Sequence, residues 1–366
     1  MSDSPSSMLL IGIGGAGCTM VRGVTRAFGE GLRYVLADTD ARTGEAGGPF
    51  VLIGGDRLSG RGSGGDIVAA RLAAEDSVQS LDDSLEGVRL AVILTALGGG
   101  TGGGATLETV KHLSERGIPS CVFATTPFAF EGETRQRNAR GMMTLIEEAA
   151  NACFFIPMDK LVGDPESDMP GAMRRAADTL ASGVTLFWRL VEKPGYISLD
   201  AERVRHIIAG AGRGRFAYVS AQGPERAKEI VDALMNSPLL LSASGPVSSI
   251  LCGVLAGDDL RLSEIGFISE GIRESFGYKA SFELATVNDE ETFSGRISVV
   301  VMLFESTRQE GDEPKGGEPS RRRKQRAILS TGPTGRGRFN NSEPTIWNGE
   351  DLDTPTFLRK NISLEF

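Results

Sequence analysis

The sequence predicts an α/β protein: a doubly wound, mostly parallel sheet, a long central helix and a smaller α/β C-terminal domain. Three observations carry this expectation. Short apolar runs rich in β-branched residues alternate with longer polar-apolar stretches through the first half of the chain. A segment over 173–193 repeats apolar residues at spacings of three and four. Two glycine-rich segments each follow a strand-like run and open a helix-like one.

Taken in order, MLLIGI, YVLAD, PFVLI, RLAVILTAL, PSCVFATT and ACFFIP read as buried strands. GDIVAARLAAEDSVQSLDDSLEG and ATLETVKHLSERG read as the helices between them. In the central helix, Ala177, Leu180, Val184, Phe187, Trp188 and Val191 form one broad apolar face, and Pro194 and Gly195 end it. A second block follows: RFAYVSA, the helix PERAKEIVDALM, SILCGVLAG, the helix RLSEIGFISEGIRESFG, then ASFELATV and RISVVVMLFE, a mixed sheet or an antiparallel one at its end. The expected boundaries are a disordered 1–7, a first domain over 8–172, the helix 173–193, a smaller α/β domain over 194–305, a disordered linker 306–349 and a terminal peptide 350–366.

Composition limits the function. A chain of 366 residues has room for two medium domains or one large one, and 24% charged with 40% hydrophobic residues describes an ordinary globular protein. A net charge of −9 argues against the molecule as a whole binding nucleic acid. The run SRRRKQR is basic, and is read either as solvated linker or as a contact for nucleic acid or a membrane surface. The N-terminus lacks a basic leader, and no apolar stretch reaches the roughly 18 residues of a membrane span, so a cytoplasmic protein without direct membrane insertion is expected. Cys18, Cys121, Cys153 and Cys252 are scattered, which argues against a structural zinc site, and no protein-held metal is expected. His112 and His206 alone offer little to a histidine-based triad. Glycine stands out, at 48 of 366 residues about twice the usual ~7%.

The first glycine segment, IGIGGAGCTMVRGV, holds Gly12, Gly14 and Gly17 in G-x-G-x-x-G spacing; the second, ALGGGTGGGATLE, spans Gly98 to Gly104 around Thr101. Backbone N–H groups at a helix N-terminus favour phosphate, and glycine lets the ligand approach the backbone and allows positive φ. Structural alternatives are a tight strand–helix turn for the first and a hinge for the second. Asp38 follows the first loop by about 20 residues, as the ribose-binding acid of a dinucleotide oxidoreductase does. Such an enzyme has no need of the second loop, and no G-x-x-x-x-G-K-[ST] occurs to suggest a P-loop.

GGGTGGGA resembles the glycine signature of the tubulin/FtsZ superfamily. PFAFEGETR is similar to that family's P-F-x-F-E-G loop and following arginine, IPMDKL to its I-P-N-D-K-L, and SPLL and DLRL fall where the bacterial division members have them. EDLDTPTFLRK resembles the C-terminal peptide by which those members dock on membrane-tethering partners such as FtsA. The resemblance covers about residues 8–305 and the tail. It implies GTP/GDP binding with Mg²⁺ held by phosphates and water, and GTP-dependent head-to-tail self-assembly at a mid-cell division ring.

Carried over by position, Gly14, Gly15, Ala16, Gly17, Cys18 and Thr19 belong to the first phosphate loop, and Gly98, Gly99, Gly100, Thr101 and Gly102 to the second. Glu131 would meet the ribose, Arg135 the ribose–phosphate region and Asp178 the guanine edge. On sequence alone Asp178 also reads as a solvated helix residue, and Glu131 with Arg135 as a surface ion pair. GRGSGG over 60–65 reads as a third loop over the terminal phosphate. Tail anchors would be Pro355, Phe357 and Leu358, with Asp351, Asp353, Arg359 and Lys360 orienting them.

Several positions depart from the family. Thr19, Met158 and Ala177 stand where asparagines are usual, and Met173 where a stacking phenylalanine is, so base recognition is expected to be thinner. In the catalytic loop, N-x-D-x-x-D becomes SLDAER: Ser198 replaces the asparagine, Asp200 keeps the first acid, and Arg203 replaces the second, with Glu202 a possible substitute. A carboxylate orients water, whereas a guanidinium only donates hydrogen bonds, so slow hydrolysis is expected. Two other readings stay open, a non-hydrolysing scaffold of the same family and the dinucleotide oxidoreductase.

Overall fold

The computed structural model describes residues 7–29, 31–161, 168–193, 195–199, 201–241 and 246–305, with the backbone of 346–347 and 350–351. The described residues up to 305 form one compact unit. The strands are β1 (Met8–Ile13), β2 (Tyr34–Asp38), β3 (Phe50–Leu52), β4 (Leu90–Ala96), β5 (Ser120–Thr126), β6 (Ala152–Pro157), β7 (Gly212–Gln222), β8 (Val247–Ala256), β9 (Ser281–Asn288) and β10 (Arg296–Glu305). The main helices of the first half are α1 (Gly14–Phe28), α2 (Gly55–Leu58), α3 (Ile67–Ser77), α4 (Asp82–Leu85), α5 (Gly100–Glu115) and α6 (Glu133–Ala149). They continue as α7 (Met158–Leu161), α8 (Met169–Glu192), α9 (Ala201–Ala209), α10 (Arg226–Met235), α11 (Leu262–Phe276) and α12 (Glu290–Phe293).

All ten strands join one sheet in the order β3-β2-β1-β4-β5-β6-β7-β10-β8-β9. Pairing is parallel from β3 to β7, β10 runs antiparallel to β7 and β8, and β9 is parallel to β8. The block expected over 194–305 therefore continues the first sheet, through the short register Ala152↔Gly212, Cys153↔Arg213 and Phe154↔Gly214.

Strand β1 shows why the early runs are mostly apolar, with polar residues gathered chiefly at strand ends, as Asp38 of β2 and Thr125 and Thr126 of β5 are. Met8 and Leu10 enter one core with Phe123, Phe154 and Trp188, while Leu9, Ile11 and Ile13 enter another with Val110 and Ile146. Successive strand residues face opposite sides, so a sheet covered on both faces favours apolar residues at successive positions, and a polar one such as Thr95 is kept where its hydroxyl finds backbone acceptors. Helix α8 starts at Met169 rather than 173, with Pro170 in its first turn, where a missing N–H costs nothing. It ends before Pro194, as expected. Ala181 lies 3.2 Å from a Cβ built on Gly23 of α1, and Leu190 fills the space above Gly253 of β8. The helix thus clamps the early strands and the later ones with one continuous face.

In the second unit, Ile346–Trp347 pair antiparallel with Glu350–Asp351. Asn348-Gly349 between them is the dipeptide that two-residue hairpins favour. Pairing therefore begins inside the stretch expected to be linker. Asp353, Pro355, Phe357, Leu358, Arg359 and Lys360 lie outside the described residues.

Candidate functional site at the switch point of the sheet

From β1 the chain winds outward through β2 and β3; from β4 it winds the other way through β5 and β6. Where the order reverses, the helices after β1 and β4 leave on opposite faces and open a crevice at the strands' C-terminal ends. Both glycine segments sit there: α1 starts at Gly14 directly after β1, and α5 starts at Gly100, four residues after β4 ends at Ala96. Between them lies a cleft of about 920 Å³.

Of the expected residues, Gly14, Gly15, Ala16, Thr19, Gly99, Gly100, Thr101, Gly102, Glu131, Arg135 and Asp178 line this cleft. Gly62, Ser63, Gly64 and Gly65 of the third loop line it too. Gly14 has φ +74°, a left-handed value that a side chain would oppose. The three loops converge on hydroxyls: Thr101 Oγ1 lies 2.6 Å from Thr39 Oγ1 and 3.3 Å from Ser63 Oγ. Beneath them the buried Thr95 hydroxyl lies 2.9 Å from Gly102 O and 3.2 Å from Ile13 O, at the base of both glycine turns.

Three expected residues stand apart from the cleft lining. A Cβ on Gly17 would lie 2.3 Å from Leu94 O, so this glycine lets α1 settle on β4. Cys18 is fully buried, and burial pushes its thiol up to about 12, leaving a neutral S–H directed at Gly12 O (3.4 Å) and Ala37 O (3.7 Å). Gly98, at φ +103°, turns the chain against Pro127 and Arg135.

The far end of the cleft lies between α1, with Met20, Gly23 and Arg26, and α8, with Ala176, Ala177 and Asp178. Asp178 is exposed there. Thr19 donates its hydroxyl to Gly15 O at 2.9 Å, so toward a ligand its oxygen is left as an acceptor. Met158, one of the positions that depart from the family, packs with Phe128 and Ala176 in a small apolar cluster and forms wall. The side chain of Met173 lies outside what is described. Glu131 takes the Phe128 N–H at 2.8 Å and the Arg135 guanidinium at 2.5 Å, so the pair bind each other across the rim.

Sequence reasoning passed over Thr39, Asp40, Thr43, Arg26 and Thr125, which also line the cleft. The signal available was the polar run DTD at the end of β2, the strand next to the switch point. Asp38 has both oxygens engaged, by Thr39 N at 2.7 Å and Thr43 Oγ1 at 2.6 Å. A carboxylate so occupied is poorly placed to take a ribose hydroxyl pair.

Glu202 and Arg203 are not part of this cleft. On α9, Glu202 pairs with Arg89 at 2.5 Å and Arg205 at 2.9 Å, and Arg203 pairs with Glu283 of β9, its Nε 3.1 Å from Glu283 Oε1. Asp200 lies outside the described residues. Among the described residues no group of three or more His, Cys, Asp or Glu is arranged to hold a metal.

Residues 7–164 match the model of the tubulin/FtsZ family, GTPase domain. The cell division protein FtsZ of Pseudomonas aeruginosa is 28% identical over 368 residues, covering 96% of this chain and 88% of its own. Among solved structures, an empty FtsZ dimer from M. jannaschii has a TM-score of 0.78 at 23% identity, covering 87% of this chain and 96% of that one. A GTPγS-bound CetZ2 protofilament from Haloferax volcanii has a TM-score of 0.68 at 22% identity, covering 83% of this chain and 94% of that one. These structures speak for the fold, and the family match sets the dinucleotide-oxidoreductase reading aside. Residues 7–164 of this chain are a GTPase domain of the tubulin/FtsZ family.

Proposed function

We propose that the protein is a GTP-binding, self-assembling cytoskeletal protein of bacterial cell division, and that GTP is hydrolysed slowly between subunits of a head-to-tail filament. One observation carries this reading. The glycine loops converge on one cleft, while Glu202 and Arg203, at the helix expected to complete the catalytic loop, lie outside it. A cleft that lacks its catalytic loop within one chain is completed by a second copy. The phosphates would lie along Gly14–Ala16, Gly99–Gly102 and Gly62–Gly65, the ribose beside Glu131 and Arg135, and guanine at Asp178, whose carboxylate can accept both N1–H and N2–H. Among the described residues no group of three or more His, Cys, Asp or Glu could hold a metal, and Mg²⁺ would be held by phosphate oxygens and water.

Sedimentation of the purified protein with GTP, GDP or no nucleotide tests the proposal, with turnover measured on the same samples. Polymer that pellets with GTP and hydrolyses it slowly is the expected result. Failure to pellet under every condition overturns self-assembly.

A second reading, a family scaffold that assembles without turnover, is favoured by Arg203, which puts a guanidinium where an acid was expected and engages the Glu283 carboxylate beside it. It differs from the first in showing pelleting with no phosphate release.

The cellular setting proposed is cytoplasmic, at the mid-cell ring. No helix among the described residues is long and apolar enough to cross a membrane, which fits tethering through the terminal peptide to an adaptor such as FtsA. Deleting residues 350–366 is expected to abolish co-sedimentation with adaptor-bearing vesicles and to leave assembly in solution unchanged. Unaltered vesicle binding refutes the docking role.

A further inference from the structure

Behind the rim of the nucleotide cleft lies a second cavity, about 260 Å³, between α6 and strands β6 and β7. Ligand sites commonly run from roughly 300 to 1,000 Å³, so this one suits a small molecule. Its walls are of two kinds. Phe154, Phe155, Phe216 and Met143 give it an apolar floor and side. Arg140 of α6 and Arg213 and Arg215 of β7 face it from around that floor, against Glu305 as the sole acid among the described lining residues.

Arg215 is the informative group. Its side chain is only 9% exposed, beside Glu305, which is equally buried. One guanidinium nitrogen donates to Leu240 O at 2.5 Å; Nε lies 3.3 Å from Glu305 Oε1 but makes no hydrogen bond. Burial holds this guanidinium below the usual arginine range. Glu305 offsets the charge, yet a buried guanidinium whose Nε donor is unmet still gains from a further acceptor. Arg213 is loosely held as well, 4.0 Å from Glu147 and stacked over the Phe155 ring at 5.8 Å. Arg140 is exposed at the cavity. Three cations round an aromatic floor call for an acid group carried on an apolar body.

We propose that this cavity binds a small amphipathic anion, an aromatic or short-chain acid whose charged group meets Arg140, Arg213 and Arg215 and whose body rests on Phe154 and Phe216. The site touches the rim of the nucleotide cleft. Thr126 lines both spaces, and Gln136, which lines the cavity, donates to Pro127 O and Phe128 O at 2.9 Å each, holding the turn that carries Glu131. An occupant therefore presses on the segment that shapes the ribose end of the cleft.

The probe is 1-naphthoate, titrated into the full chain by calorimetry with and without saturating GDP. One saturable site is expected in both conditions, weakened about tenfold in Arg140→Gln and in Arg215→Met, and about tenfold for uncharged 1-naphthamide. Arg215→Met risks the fold because the residue is buried; Arg140→Gln is exposed and keeps the test decisive. Absence of saturable binding, wild-type affinity in a folded Arg140→Gln, or displacement of the probe by GDP each overturns the proposal. Should GDP itself fail to bind, the GDP arm drops out and the arginine variants still decide.

Discussion

Replacing Gly102 with alanine is expected to destabilise the protein by about 3 kcal/mol and to abolish measurable nucleotide binding, while Gly99→Ala leaves stability within about 1 kcal/mol of the parent. A Cβ on Gly102 would stand 2.0 Å from Ala96 O, which is main chain of β4, and 3.1 Å from the Thr95 hydroxyl. No rotamer change relieves a clash with backbone, so α5 would have to lift away from the strand. That movement breaks the 2.9 Å contact between the Thr95 hydroxyl and Gly102 O and spreads the two turns. Overpacking of a tight core typically costs roughly 1–3 kcal/mol, and more where the neighbours cannot give.

Gly99 is the contrast. It caps α5 at φ −86° and ψ 175°, extended backbone that any residue adopts, and a Cβ there would meet nothing within 4 Å. A methyl at position 99 intrudes only on what fills the cleft. Thermal unfolding of the empty proteins and GDP titration separate the two effects. The expected pattern is a large fall in Tm for Gly102→Ala, and for Gly99→Ala an unchanged Tm with weakened GDP binding. Wild-type stability of Gly102→Ala would show that α5 is not seated on β4 as described.

This contrast also marks the limit of reading the glycines from sequence. Their number and their place between strand and helix located the switch point, because a parallel sheet built from β-α units brings such turns together at one edge. Their individual duties depend on atoms distant along the chain. Gly104 clears the backbone of α3 at Ile67 and Arg71, Gly103 clears Met142, and Gly17 clears Leu94, so several positions in both signatures serve packing.

Most strands were legible to within two residues, since burial on both faces leaves largely apolar runs, but β7 begins at Gly212, three residues before RFAYVSA. Helix α6 was passed over: among its seventeen residues only Ala139, Met142 and Ile146 are buried, and the charged majority hides the period. The continuity of the sheet rests on three residue pairs joining β6 to β7 about sixty positions later, and no local pattern announces a register of that kind. Arg203 could be seen to replace an acid, but not that Glu283, eighty residues on, would lie against it.

That pairing changes what restoring the acid requires, on the reading that GTP is hydrolysed where α9 meets the next subunit's cleft. Arg203→Asp alone is expected to leave turnover close to the parent level, and Arg203→Asp with Glu283→Gln to raise it about tenfold or more. In the single variant, aspartate would be set beside Glu283. Like charges at close range raise the pKa of one partner and push the side chains apart, and a protonated or displaced carboxyl orients water poorly. Neutralising Glu283 removes that competition and leaves one carboxylate free to accept a hydrogen bond from water. Glu283→Gln alone frees the guanidinium without supplying an acceptor, so it should not accelerate hydrolysis. Stability is a weak confounder, because the Arg203 side chain is 49% exposed and such pairs are worth about 1 kcal/mol or less. Phosphate release per pelleted subunit, measured for all four proteins at matched assembly, decides the matter. Brisk turnover by the parent, or a double variant that assembles normally and stays slow, would show that Arg203 is not what limits this chain.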